Sequence, residues 1–123
     1  MAINRPMQKV VTLEPGLVCI AGSFQGASTS TPVTQLGKGV SVAWSATGTY
    51  VLTLPGTGTL NIYSVTCNVE RATGGYVANV EAKSNSSRTV TINVQDLDTP
   101  VDTDLVTGEY LHYMIFLKNS SAG

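Results

Sequence analysis

The stretch Val40–Leu54, VSVAWSATGTYVLTL, contains two runs in which apolar side chains alternate with small or polar ones. The pair Thr47-Gly48 separates the two runs and is typical of a turn. Alternation with a period of two is typical of a β-strand that buries one of its faces. The stretch therefore predicts two strands. Val40, Val42 and Trp44 share one face of the first strand, and Tyr50, Leu52 and Leu54 share one face of the second.

The same alternation continues along the chain. RTVTINV (88–94) places Val90, Ile92 and Val94 on one face, and GYVANVEAK (75–83) predicts another strand. Between residues 60 and 70 the apolar positions change from even to odd numbers after Ile62, which predicts a β-bulge or a crossing between sheets. Turn signals recur roughly every 8 to 17 residues, a spacing too short for crossover helices. Threonine and valine, which favour strands, supply 31 residues.

These patterns predict an all-β fold: a jelly-roll-like antiparallel β-sandwich of about eight strands with an extended N-terminal arm. The best-defined strands provide the expected core, which consists of Val42, Trp44, Tyr50, Leu52, Val90, Ile92, Ile115 and Leu117.

Composition narrows the classes of function. The chain has 123 residues, a formal net charge of −1, and only seven lysines and arginines, so we expect one domain and no nucleic-acid partner. No apolar run reaches the roughly 20 residues that a membrane-spanning helix needs, and MAINRPMQKVVTLEPG (1–16) lacks the pattern of a secretory signal. No catalytic motif is present. We therefore expect neither a membrane partner, nor an enzyme, nor a cofactor.

The N-terminal third has a different character. Residues 10–13 and 17–21 each suggest a strand, and GSFQGASTSTP (22–32) offers small and polar residues around a single phenylalanine. We interpret residues 1–38 as an arm and residues 39–123 as the sandwich domain; a surface loop is the alternative. Within the arm, the candidate interface residues are Arg5, Lys9 and Phe24.

The C-terminal segment YLHYMIFLK (110–118) is apolar on both faces. A sandwich strand normally alternates apolar and polar residues, so the second face must be covered. The N-terminal arm or a second subunit could cover this face; as a third alternative, the face could form a groove for a small molecule. The residues of this face, Tyr110, His112, Met114 and Phe116, are candidate interface residues, and we expect a homo-oligomer, a trimer being the first expectation.

Two further groups of residues leave alternatives open. Cys19 and Cys67 are expected to be free thiols, with one disulfide between them as the alternative, and such sparse cysteine usage favours an intracellular origin. Five carboxylates crowd residues 96–109 without the spacing of an EF-hand. They form either a solvated acidic loop or a Ca²⁺ site; no other metal site is expected.

Several features follow one another from Gly39 onward: SATGTY (45–50), VLTL (51–54), TVTINVQD (89–96), the pair Asp104-Leu105, GEY (108–110), and an apolar strand ending KNSS (118–121). This order resembles small structural proteins of tailed bacteriophages. The resemblance implies a capsid decoration, or cement, protein. Such a protein is made in the host cytoplasm, becomes part of the virion, and binds across neighbouring copies of the major capsid protein.

Two other functions stay open at this point. A phage tail or fibre component would share similar domains. A carbohydrate-binding, lectin-like module would need exposed aromatic platforms, for which Trp44, Tyr63 and Tyr76 are the candidates.

Overall fold

The computed structural model describes residues 17–37, 39–56 and 58–119. These residues form nine β-strands and no helix. The strands are β1 (Leu17–Gln25), β2 (Val33–Leu36), β3 (Ser41–Ala46), β4 (Thr49–Thr53), β5 (Leu60–Glu70), β6 (Tyr76–Ser84), β7 (Thr89–Asp96), β8 (Val101–Asp102) and β9 (Tyr110–Asn119). The described ranges contain no helix capable of spanning a membrane.

The strands form two sheets in which every pairing is antiparallel. The four-stranded sheet has the order β2-β1-β9-β5, and the five-stranded sheet has the order β3-β4-β7-β6, with β8 beside β7. Their inner faces share one core, so the predicted all-β sandwich is confirmed. The β3–β4 and β6–β7 hairpins each lie within one sheet.

Strands β1 and β2 show how the N-terminal third relates to the sandwich. β1 pairs with β9 along its whole length, from Leu17 opposite Lys118 to Gln25 opposite Tyr110. Residues 17–36, which the sequence placed in the arm, are therefore sheet strands and the loop between them. Residues 1–16 of the expected arm, which include the strand suggested at residues 10–13, and residue 38 lie outside the described residues.

The core follows the alternation that the sequence predicts. Six of the eight predicted core residues are buried: Tyr50, Leu52, Val90, Ile92, Ile115 and Leu117. Val42 and Trp44 are only half-buried, although they pack against that core. The reason is that β3 is an edge strand and has a neighbour on one side only.

The edge strands β2, β3, β5 and β6 each carry a β-bulge, and the fifth edge strand, β8, has only two residues. In each bulge one residue has no partner on the adjacent strand: Gln35 in β2, Ser45 in β3, Tyr63 in β5 and Glu81 in β6. The bulge at Tyr63 confirms the change of phase predicted after Ile62. Lys83 of β6 donates hydrogen bonds to the carbonyls of Ile62 (2.8 Å) and Tyr63 (3.2 Å) on β5. Bulges and such lysines prevent edge strands from pairing with other chains.

The segment between β8 and β9 closes one end of the sandwich. Asp104 Oδ1 accepts hydrogen bonds from the indole Nε1 of Trp44 (2.8 Å) and from the backbone N–H of Gly48 (2.7 Å). The next residue, Leu105, is fully buried, and its N–H donates to the hydroxyl of Tyr50 at 2.8 Å. A polar side chain and a buried leucine thus fix the segment against β3 and β4.

Stability should fall in alkali because of Tyr50. Burial raises the pKa of this phenol from 10.0 to about 12. Since the folded-state value is the higher one, the stabilisation is complete below pH 10 and is lost as the pH rises through about 12. The linked loss is at most about 3 kcal/mol, because one pKa unit corresponds to about 1.4 kcal/mol. Urea unfolding between pH 8 and pH 12 measures this loss.

The matched variant is Tyr50→Phe. It should be less stable than the wild type at pH 8 by about 1–3 kcal/mol, because the buried N–H of Leu105 loses its acceptor. Its stability should fall less between pH 10 and pH 12. A fall equal to that of the wild type would assign the alkaline transition to other groups, such as Tyr113, whose pKa burial also raises.

Candidate interaction surface

Strand β9 lies in the middle of the four-stranded sheet and presents its two apolar faces to different surroundings. Leu111, Tyr113, Ile115 and Leu117 are buried in the core. Tyr110, His112, Met114 and Phe116 project from the opposite side, away from the five-stranded sheet. Met114 is 41% exposed, and the other three are half-buried. The four candidate interface residues of β9 therefore share one surface, as their alternation predicts.

Neighbouring strands enlarge this surface, which we call the β9 face. Side chains of residues directly opposite each other in an antiparallel pair lie on the same side of the sheet. By the register of the pairings, the β9 face comprises Leu17, Cys19, Ala21, Ser23 and Gln25 of β1, Val33 and Leu36 of β2, Asn61, Ser64, Thr66, Asn68 and Glu70 of β5, and Lys118 together with the four residues of β9. Its middle and its β2 side are mostly apolar, and its β5 side is polar.

The relief of the β9 face is uneven. On the β2 side, Leu36 and Val33 are the most exposed of its large apolar residues. On the β5 side, a shallow groove of about 170 Å³ is lined by Thr66, Cys67, Asn68, His112, Tyr113 and Met114. The face thus has a protruding leucine on one side and a depression on the other.

A hydrogen-bonded contact between His112 and Glu70 borders the groove. His112 Nε2 lies 2.6 Å from Glu70 Oε1, and the two side chains are 44% and 63% exposed. Exposed pairs of this kind contribute little to stability because water competes for both groups. Their effect here is to orient the imidazole along the rim of the groove.

Phe24 was predicted to be an interface residue, and this prediction is wrong for the described surface. The register of β1 places it opposite Leu111, on the inner side of the sheet. It is 1% exposed, and its ring centroid lies 5.2 Å from that of Tyr50. A side chain committed to the core cannot contact a partner. Arg5 and Lys9 lie outside the described residues.

The sequence does not identify Leu36 and Val33 as surface partners of β9. They are three positions apart, and two residues of a regular strand at that spacing lie on opposite faces. They share a face because the bulge at Gln35 adds one residue between them. The segment VTQL alone carries no signal of that bulge.

The acidic residues before β9 engage separate partners. Asp96 accepts the N–H of Asp98, Asp102 accepts a hydrogen bond from Gln95, and Glu109 forms an ion pair with Arg71. Asp104 holds Trp44 and Gly48, as described above. Within the described residues, no three His, Cys, Asp or Glu side chains converge to hold a metal ion.

Both cysteines are free thiols, as expected. Cys19 lies on the β9 face opposite Phe116, whereas Cys67 lies opposite Tyr113, a core residue. Burial raises the pKa of the Cys67 thiol, which keeps it protonated and unreactive near neutral pH.

Comparison with known proteins found no matching family model, no similar curated protein and no similar solved structure.

Proposed function

We propose that this protein is a non-enzymatic structural component of a virion, which decorates and stabilises the capsid of a tailed bacteriophage. The observation that carries the proposal is the β9 face. A sheet surface with an apolar middle, exposed in the single chain, is typical of a protein that acts by binding another protein. The resemblance of the chain from Gly39 onward to phage structural proteins supplies the class of partner, the major capsid protein.

A decoration protein stabilises a capsid shell because its binding is thermodynamically linked to assembly of the shell. A ligand that binds only the assembled state adds its binding free energy to the stability of that state. A protein that bridges neighbouring capsid subunits does this at every equivalent site, so that symmetry multiplies a modest contact into a large total effect. Such a role requires a stable scaffold and a contact surface, and no reactive group.

Carbohydrate binding, the alternative, receives less support from the aromatic residues. The indole N–H of Trp44 is already bonded to Asp104, and the guanidinium of Arg71 lies 3.7 Å from the ring centroid of Tyr76. Of the three candidate platforms, Tyr63 alone is widely exposed. A sugar-binding site usually needs a ring whose face is open to the ligand.

The location of the protein in a particle tests the proposal. We expect it to purify with intact heads in a copy number that matches the symmetry of the shell, and to raise the temperature at which heads release DNA. Recovery with tails or fibres only would favour the tail-component alternative. Absence from particles altogether would contradict both.

The segment that precedes β1 provides a sharper test. Residues 1–14 contain Arg5 and Lys9, and β1 begins only at Leu17. We propose that this segment contacts the shell, adding main-chain hydrogen bonds along a strand edge of the capsid protein. Its deletion should leave the β-sheet circular dichroism spectrum intact but abolish addition to undecorated heads.

A control variant separates the contribution of the two basic side chains from that of the main-chain hydrogen bonds. The variant Arg5→Ala/Lys9→Ala keeps the length of the segment and should bind heads more weakly than the wild type but better than the deletion. If the deletion variant decorates heads with wild-type affinity, the docking surface lies on the sandwich instead.

A further inference from the structure

We infer that the β9 face binds a second copy of this chain, in a face-to-face dimer whose two-fold axis runs parallel to the strands between β1 and β9. The inference rests on the relief and register of this face. It stands whether or not the protein binds a capsid, and it replaces the trimer expected from the sequence.

The first step is the position of the protruding leucine relative to the groove. The pairings place four residues in one row across the sheet: Leu36, Ser23, His112 and Asn68. Adjacent strands are about 4.8 Å apart, so Leu36 and Asn68 each lie about 7 Å from the line midway between β1 and β9. The protrusion and the groove are thus on opposite sides of this line and at the same level along the strands.

The second step is symmetry. A two-fold axis along that line exchanges the two sides of the sheet and leaves each row at its level. It therefore places Leu36 of one copy over the groove beside Asn68 of the other, and the reverse contact forms at the same time. An isologous interface requires such self-complementarity, in which the same pair of residues meets twice.

The third step concerns charge. The β9 face carries Glu70, which lies 2.6 Å from His112, at one end, and Lys118 at the other end, beyond Phe116. By the same strand spacing, the two copies of Glu70 would lie about 14 Å apart across the axis, beyond the Debye length of about 8 Å at physiological salt. The middle of the face, around Ala21 and Met114, is uncharged. The middles of the two copies, which exclude Lys118, can therefore approach each other without repulsion.

The fourth step is size. Four strands across and seven residues along β9 span about 19 Å by 24 Å, and the protruding side chains raise the accessible area above this projection. The total accessible area that the two copies bury is therefore near the low end for specific protein interfaces, which is about 1,200 Å². We therefore expect a dissociation constant in the micromolar range.

The edges of the sheets favour the same conclusion. Association through strand edges is the usual alternative for a β-protein, but four of the edge strands here carry a bulge, and the fifth, β8, has only two residues. Lys83 also occupies two carbonyls of β5. A second copy therefore binds to the exposed apolar β9 face rather than along a strand edge.

Sedimentation velocity from about 1 to 100 µM tests the inference with two matched variants. Leu36 and Leu97 are equally exposed, at 62% and 61%, but Leu97 lies next to β7 in the other sheet. We expect the wild type and Leu97→Asp to dimerise. Leu36→Asp should weaken dimerisation at least about 100-fold, because it would bury two unpaired carboxylates, one from each copy.

A second variant tests the geometry. In the double variant Leu36→Asp/Asn68→Lys, each new carboxylate would face a new ammonium of the other copy, so dimerisation should recover by at least about 10-fold. Circular dichroism confirms that each variant is folded. Recovery supports the two-fold arrangement, and its absence in a folded variant overturns it.

Other outcomes identify other occupants of the face, and each overturns the inference. A wild-type monomer at 100 µM that becomes a dimer on deletion of residues 1–14 would show that the chain covers its own β9 face. A monomer in both forms would leave the face to a different partner. A trimer, or dimerisation unaffected by Leu36→Asp, would place the contact elsewhere.

Discussion

Replacing Ile92 with alanine should lower the free energy of unfolding by about 2–5 kcal/mol. Ile92 is fully buried in the middle of β7, with Tyr50 of β4 on one side and Val80 of β6 on the other. The substitution removes three carbons from a close-packed interior and leaves a cavity that flanking strands cannot fill without breaking their register. Urea denaturation measures the change, with the unfolding free energy of the variant and of the wild type falling equally steeply with urea concentration.

The matched control is Val80→Ala, on the strand next to Ile92. Val80 is 37% exposed, and its edge strand can adjust, so the expected loss is below about 1.5 kcal/mol. Equal losses for the two variants would mean that burial at position 92 does not differ from burial at position 80. That result would contradict the assigned phase of β7.

Replacing Asp104 with alanine should cost about 2–4 kcal/mol. The substitution leaves the indole N–H of Trp44 and the backbone N–H of Gly48 without their acceptor, and hydrogen bonds to a charged group are the stronger kind. It also frees the segment that buries Leu105. Thermal unfolding gives the stability, and the near-ultraviolet circular dichroism of Trp44, the single tryptophan, gives the local effect.

Asp102→Ala provides the control for Asp104. The Asp102 carboxylate accepts one hydrogen bond from Gln95 at the surface, so its loss should change stability by less than about 0.5 kcal/mol. The tryptophan signal should not change. If the two variants behave alike, the closure of this end of the sandwich does not depend on Asp104.

The sequence predicts those parts of the fold in which neighbours along the chain determine the structure. Alternation identifies β3, β4, β7 and β9, and the bulge in β5 is visible because the apolar positions change parity at Tyr63. These signals are local, since each side chain's direction follows from its position in the strand. The signal for the apolar second face of β9 also lies in the local sequence, which is why its four outer residues were predicted together.

The parts that were missed depend on contacts between distant residues. Gly22 and Gly26 made residues 22–32 look like a loop, yet Gly22 and Phe24 belong to β1. A Cβ at Gly22 would lie 2.4 Å from Tyr113 Oη, and one at Gly26 would lie 2.4 Å from Leu105. These residues are small because a distant side chain or backbone occupies the adjacent space. Nothing in the local sequence reveals this cause.

The central position of β9 has a consequence for how the chain folds. β1 and β5 do not pair with each other; each pairs with β9, the last described strand, and Leu17 meets Lys118. During synthesis the five-stranded sheet can form from its hairpins and β1 can pair with β2, but the four-stranded sheet cannot be completed until residues 110–119 leave the ribosome. Contacts between such distant segments make folding slow, in the range of milliseconds to seconds. Until then the inner face of the five-stranded sheet is exposed, and newly made chains are most prone to aggregate during that interval.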